Sequence, residues 1–266
     1  MIKFFRHIRQ RMIQENLPDR QAGRFSRYFL YAIGEIVLVV IGILIALQIN
    51  DRSAQQKLER TNVRMMERMQ DELHINIDRL HYLDTMYSFN NVRFGWTPML
   101  GRIDTALTYI TEGLDEDRMI WMLAAGKLHD GSMYNLSTAV YREMLSSGRF
   151  YSLGPDSLIK RIQVYYQLLD REERYGIEWN DEATQAWKEC KYGFNDLLND
   201  YQMNGHTALK GHSWYLDRRS REFIDLKAAL LTSQRSTERN RRHAHRMIQD
   251  SRTLIQALHH EILSHP

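Results

Sequence analysis

Metal chelation by the eleven histidines of this 266-residue chain is the first chemistry its residue types offer. The spacings do not support it. His243 and His245 stand two apart and fall on different faces of a helix. His259 and His260 are adjacent, which is equally poor for a shared ion. His260-Glu261 followed by His265 is one residue too long for the H-E-x-x-H zinc pattern, whose two histidines must share a helix face. His206 and His212 fall in one loop, where they can approach each other. Nucleophilic and phosphate-binding signatures are missing: there is no G-x-S-x-G, P-loop, G-x-G-x-x-G or Cys–His pattern. The acidic run Asp115–Asp117 reads as a helix N-terminus complementing the macrodipole, not as a glycosidase dyad. Cys190, the single cysteine, excludes an intramolecular disulfide and is expected to be a buried small residue. The expectation is a protein without catalytic, cofactor or metal site.

One acid stands apart. Glu35 interrupts the most apolar stretch of the chain, YAIGEIVLVVIGILIALQIN, Tyr31 to Asn50. The window 29–49 spans about 31 Å as a helix at 1.5 Å per residue, matching a hydrocarbon core of about 30 Å. It holds fourteen Leu, Ile, Val or Phe residues. At roughly −0.3 to −0.6 kcal/mol each these total about −4 to −8 kcal/mol on an insertion scale, against roughly +2.5 to +3.5 for a central acid. The apolar side wins, so the segment is expected to insert. Tyr28 and Tyr31 suit an interfacial belt. Residues 1–28 carry seven Lys/Arg against Glu15 and Asp19, a net +5, which places that end inside by the positive-inside rule. The segment reads as an uncleaved signal anchor: 1–28 a cytoplasmic basic arm, 29–49 the transmembrane anchor, 50–266 an exported, periplasmic domain. In the arm, Ile2, Phe5, Ile8 and Met12 share one helical face, and Lys3, Arg6, Arg9 and Arg11 spread over the rest. Such a helix suits an anionic inner leaflet, the alternative being a floppy basic tail.

Steps of four and three from Tyr28 give Ala32, Glu35, Val39, Gly42, Ala46 and Ile49, the a/d spacing of a left-handed coiled coil. Gly42 and Ala46 also form a small-xxx-small pair. A charge on this stripe is expected to meet a helix and not lipid. Three roles fit Glu35. It can join identical helices or pair with Tyr31, it can bind a different membrane subunit, or it can relay protons in an ion-coupled or channel-type subunit.

MIKFFRHIRQ together with YAIGEIVLVVIGILIALQIN resembles the start of a large family of uncharacterised bacterial single-pass membrane proteins, a domain of unknown function. Tyr141–Gly148 (YREMLSSG) and Leu158–Tyr166 (LIKRIQVYY) resemble its internal landmarks. Relative to that family, Asn16–Gly23 reads as an insertion, and Asp51-Arg52-Ser53 stands where a Trp commonly follows the span. The resemblance implies an inner-membrane protein with a helical exported domain and implies no activity.

Beyond Asn50 the helical period continues. Met66, Met69, Leu73, Ile77 and Leu80 form an apolar stripe, and no Pro or Gly breaks the chain before about Asn90. A break is expected at Asn91–Gly101, around Gly95, Pro98 and Gly101. Helices follow at about 102–112, 116–126 and 132–147, then a loop at Gly148–Pro155. Asp156 is expected to cap a helix facing inward with Leu158, Ile162, Tyr165, Tyr166 and Leu169. Further helices are expected at about 179–202 and 215–262, separated by a loop at Met203–Ser213. No segment alternates long enough for a strand, so the fold class is all-α: one transmembrane helix continuing into an antiparallel helical bundle.

Within the last helix, the stretch Ser233–Arg246 (SQRSTERNRRHAHR) carries Arg235, Arg239, Arg241, Arg242 and Arg246 against Glu238 alone, and there the apolar stripe is interrupted. This is a solvated face where the helix projects past the bundle, or a docking site for an acidic partner or lipid headgroups. Nucleic acid is not expected, because no aromatics interleave the charges. The sequence thus points to a membrane-anchored, self-associating scaffold or regulatory protein. Its expected partners are the bilayer, further copies of itself and another membrane or periplasmic protein.

Overall fold

The computed structural model describes residues 22–86, 95–129 and 131–264, with side chains from Tyr31 onward. Among them are seven α-helices and no strand: α1 (Ala22–Thr85), α2 (Trp96–Glu112), α3 (Glu116–Ala125), α4 (Ala139–Ser146), α5 (Asp156–Glu189), α6 (Phe194–Asn204) and α7 (Arg221–Ser264). The all-α class expected from the periodicity is what the chain adopts. Two units make up the molecule, Met1–Arg60 and Thr61–Pro266, and α1 contributes to both. In the first unit the described residues are one helix, whose side chains from Tyr31 on are almost all exposed.

The second unit is built on the apolar stripe of α1. Met66, Met69, Leu73, Ile77, Leu80 and Leu83 are all buried. The first three pack with α4, α5 and the end of α7 around Phe150, Ile162 and Leu258. Ile77, Leu80 and Leu83 meet Trp96, Tyr134, Met247 and Ile248. A third cluster joins α2, α3, the end of α5, α6 and the start of α7 around Ile103, Met119, Trp187 and Leu226.

Several boundaries differ from the sequence expectation, each for a local reason. The break expected through Gly101 ends at Gly95, and α2 begins at Trp96. Pro98 falls in its first turn, where backbone N–H groups have no intrahelical acceptor and a missing one costs nothing. Gly95 is required by crowding. A Cβ there would lie 2.6 Å from the Asp84 carbonyl oxygen. At α5, Pro155 occupies the capping position and Asp156 is the first helical residue. Its expected inward face is buried throughout. This helix and the one expected to start separately at about 179 are continuous, running to Glu189 through DREERYGIE. Gly176, a breaker by type, is buried mid-helix against the Tyr134 ring. The interruption comes at Gly193, whose missing Cβ leaves room for the Glu222 side chain. In α3, Asp115 caps as expected, accepting from the Arg118 N–H at 2.9 Å. At α7, the Phe223 N–H donates to the Ser220 hydroxyl at 3.2 Å.

The largest correction concerns the helix expected over 132–147. Only Ala139–Ser146 is helical, and Asn135 takes a left-handed φ of 49°. Residues 132–138 are held by side chains from neighbouring helices. Asn76 bridges Ser137, donating to its carbonyl at 2.9 Å and accepting from its N–H at 2.7 Å. Arg79 donates to the Tyr134 carbonyl at 3.2 Å, and Asn180 to that of Ser132 at 3.0 Å. These bonds replace the intrahelical ones that the segment forgoes.

Candidate functional site

The expected membrane face is fully exposed within the chain. Ala32, Glu35, Val39, Gly42 and Ala46 all face outward. A Cβ added at Gly42 would meet nothing within 4 Å. Thirteen large hydrophobic side chains between Tyr31 and Ile49 are exposed as well, Ile36 at 62%. A water-soluble surface rarely carries so large a continuous apolar patch. The expected amphipathic arm, with Lys3, Arg6, Arg9 and Arg11, lies outside the described residues, as does His265.

Three buried acids organise the second unit, and the sequence reading did not single them out. Glu72 is 3% exposed. Its carboxyl group accepts from the Tyr166 hydroxyl at 2.7 Å, the Ser137 hydroxyl at 2.9 Å and the Val140 N–H at 2.8 Å. It thereby ties α5 and the start of α4 to α1. Burial and the neighbouring Glu72 push the Tyr166 hydroxyl far above its usual range. Tyr141 stacks on the Tyr166 ring at 4.1 Å, nearly parallel. Glu172 of α5 accepts from Arg171 at 2.5 Å and pairs with His243 of α7. Asp84 accepts from the Thr97 hydroxyl at 2.7 Å and pairs with His245 at 2.7 Å. The two histidines thus occupy different faces, as their spacing predicts, and each clasps α7 to another helix. A signal for Glu72 existed in the sequence: with Asn76 it falls beside Met69, Leu73 and Ile77 on the helical wheel. Only the extended segment at 132–138 explains why polar groups belong there.

The His206 ring lies 5.8 Å from that of Tyr201, tilted by 49°, and His212 approaches Asp200 at 3.4 Å. Among the described residues no group of three His, Cys, Asp or Glu side chains is arranged to hold a metal. Cys190 is buried, and burial pushes its thiol up to about 12.

The arginine run of α7 does not project past its neighbours. The stripe continues through it as small polar residues: Ser233, Ser236, Thr237 and Asn240 are buried. They pack where α5 also offers small groups, Gly176, Asn180 and Ala183. Asn240 donates to Asn180 at 2.9 Å, and the Tyr134 hydroxyl donates to Asn240 at 3.0 Å. Trp187 donates to the Ser233 hydroxyl at 2.8 Å. Arg235, Arg239, Arg242 and Arg246 are exposed, whereas Arg241 is half-buried.

Fold and surface together define an all-α protein in which, among the described residues, one helix near the N-terminus is long and apolar enough to cross a membrane. The chain belongs to a family of unknown function, DUF6090, whose model matches residues 35–198. That match begins at Glu35, includes both internal landmark stretches and ends within α6, before α7. No curated protein and no solved structure matches the chain.

Proposed function

We propose that this protein is a single-pass bacterial inner-membrane protein that works by assembly and binding, without catalysis. Residues 29–49 cross the bilayer, the basic arm stays in the cytoplasm, and 50–266 form a periplasmic helical domain. Chains associate through the stripe of Ala32, Glu35, Val39, Gly42 and Ala46. The domain then presents a scaffold or regulatory surface to a partner.

One observation carries this reading: thirteen large apolar side chains lie exposed all round the helix from Tyr31 to Ile49, where Glu35 is the one acid and falls in line with Ala32, Gly42 and Ala46. Lipid covers such a helix at no hydrophobic cost, while Glu35 favours a second helix over hydrocarbon. The acids of the second unit described above are engaged in structural bonds, which supports a role in holding helices together.

Disulfide trapping of Ala46→Cys chains in membranes tests the association. Glu35→Gln retains a hydrogen-bonding side chain and is expected to keep the trapped dimer. Glu35→Leu is expected to reduce it several-fold. Equal trapping in all three backgrounds would remove Glu35 from the interface. Loss of function in Glu35→Gln with assembly intact would instead mark proton relay.

A further inference from the structure

We infer that the outer ridge of α7, with the aromatic stack of α5 beside it, is a docking surface for an acidic segment of a partner protein. The inference deepens the proposed function, resting on its reading that the domain acts by binding. Arg235, Arg239, Arg242 and Arg246 follow one another at steps of four, three and four, which places them on one face of the helix. All four are exposed. Arg242 pairs with Glu238 at 2.8 Å. For Arg235, Arg239 and Arg246 no carboxylate lies within ion-pair distance among the described residues.

The ridge is flanked by rings that the core does not require. Arg239 lies over the Trp179 ring at 5.7 Å. Tyr175 stacks on Trp179 at 5.8 Å and is 41% exposed. His243 approaches the same indole at 4.8 Å and is anchored beneath it by buried Glu172. On the other flank, His81, His245, Arg246, Ile248, Gln249 and Arg252 line an open depression of about 420 Å³, where His245 is held from beneath by buried Asp84.

The residue types select a protein over a membrane. α7 carries six arginines after Lys227 and no further lysine. A guanidinium fork grips a carboxylate through two parallel hydrogen bonds and stacks on rings, whereas attraction to anionic lipid needs only point charge. Arg, Trp and Tyr are the residues enriched in protein–protein contacts, from which Lys is depleted. Carboxylates of the partner would lie along Arg235, Arg239 and Arg246, with an apolar or aromatic side chain on the Tyr175–Trp179 stack.

The test uses the full chain in nanodiscs of neutral lipid and a fluorescein-labelled decamer of glutamate, read by anisotropy at low salt. Binding is expected, with weakening at higher ionic strength. Arg239→Gln with Arg246→Gln should weaken it about tenfold, as loss of two charge-assisted contacts implies. Arg239→Lys with Arg246→Lys should fall clearly short of wild type. Lys160→Gln, away from the ridge, should leave affinity unchanged. Absence of peptide binding, or equal loss in Lys160→Gln, overturns the proposal. So does binding of phosphatidylglycerol vesicles, lost in the Gln variant, by a chain that ignores the peptide. A photo-crosslinking residue at position 238, on the ridge, or at position 192, where exposed Tyr192 lies just past the end of α5, separates this failure from failure of the broader reading. Partner adducts from 192 alone refute the ridge and leave partner binding standing. No adducts from either position refute both.

Discussion

Replacing Glu72 by Leu removes one acceptor group and leaves three donors behind. The Tyr166 hydroxyl and the Val140 N–H are buried there, and Ser137 is half-buried and can turn toward water. A buried donor stranded without its acceptor costs about 1–3 kcal/mol. Two of them give about 4 kcal/mol, and leucine restores no hydrogen bond. That is a large share of the roughly 5–15 kcal/mol that stabilises a typical domain. For a unit the size of Thr61–Pro266, each kcal/mol shifts the midpoint by about 2–4 °C, so the loss should be about 8–16 °C. Circular dichroism melts of the full chain in detergent measure it. Tyr166→Phe, which keeps the ring on Tyr141 and removes one bond, should cost less than half as much. Hydrogen exchange should quicken at Val140 in Glu72→Leu and not in Tyr166→Phe. A Glu72→Leu midpoint within 2 °C of wild type would refute the claim that this carboxylate holds α4 and α5 to α1.

Gly176→Ala should destabilise the same unit by about 1–3 kcal/mol in urea titrations, because its Cβ would sit 2.9 Å from a Tyr134 ring that Asn240 holds in place. Alkaline pH should unfold the domain steeply. The hydroxyls of Tyr134, Tyr165 and Tyr166 are all raised, Tyr165 to about 12, chiefly by burial. Unfolded tyrosines lose their protons near pH 10 while the folded ones keep theirs. Stability present below pH 10 should therefore fall by about 1.4 kcal/mol per pH unit for each tyrosine above it. Tyr165→Phe should flatten that slope in pH-dependent melts. Cys190, buried and with its thiol raised, should react with iodoacetamide only after denaturation, as read by mass spectrometry.

What the sequence disclosed and what it concealed divide along a physical line. The 3.6-residue stripe of Met66, Met69, Leu73, Ile77 and Leu80 identified its buried face correctly, because apolar burial repeats locally. Leu158, Ile162 and Tyr166 were legible for the same reason. Pro98 and Gly101 misled, since each is a breaker by type but tolerated by position: one in a first turn, the other on the exposed side of α2. The segment 132–138 was unreadable as non-helical, because its partners Asn76, Arg79 and Asn180 come from distant helices. Likewise the arginine run looked like a projecting end because Ser233, Ser236 and Asn240 are polar. Small polar residues bury well where two helices approach closely, and periodic hydrophobicity does not register them. Of the candidate site, the acid-bearing apolar helix and the arginine ridge could be read directly. The aromatic flank of that ridge required α5 and α7 to be side by side.

Membrane insertion itself has a direct test, made easier by the burial of Cys190. Single cysteines at Val40 and Ser53 are probed in intact cells with a membrane-impermeant maleimide. With residues 29–49 in the bilayer and the domain outside the inner membrane, Ser53→Cys labels and Val40→Cys does not until detergent is added. Equal labelling of both would contradict the span, and labelling of neither before cell lysis would contradict the orientation.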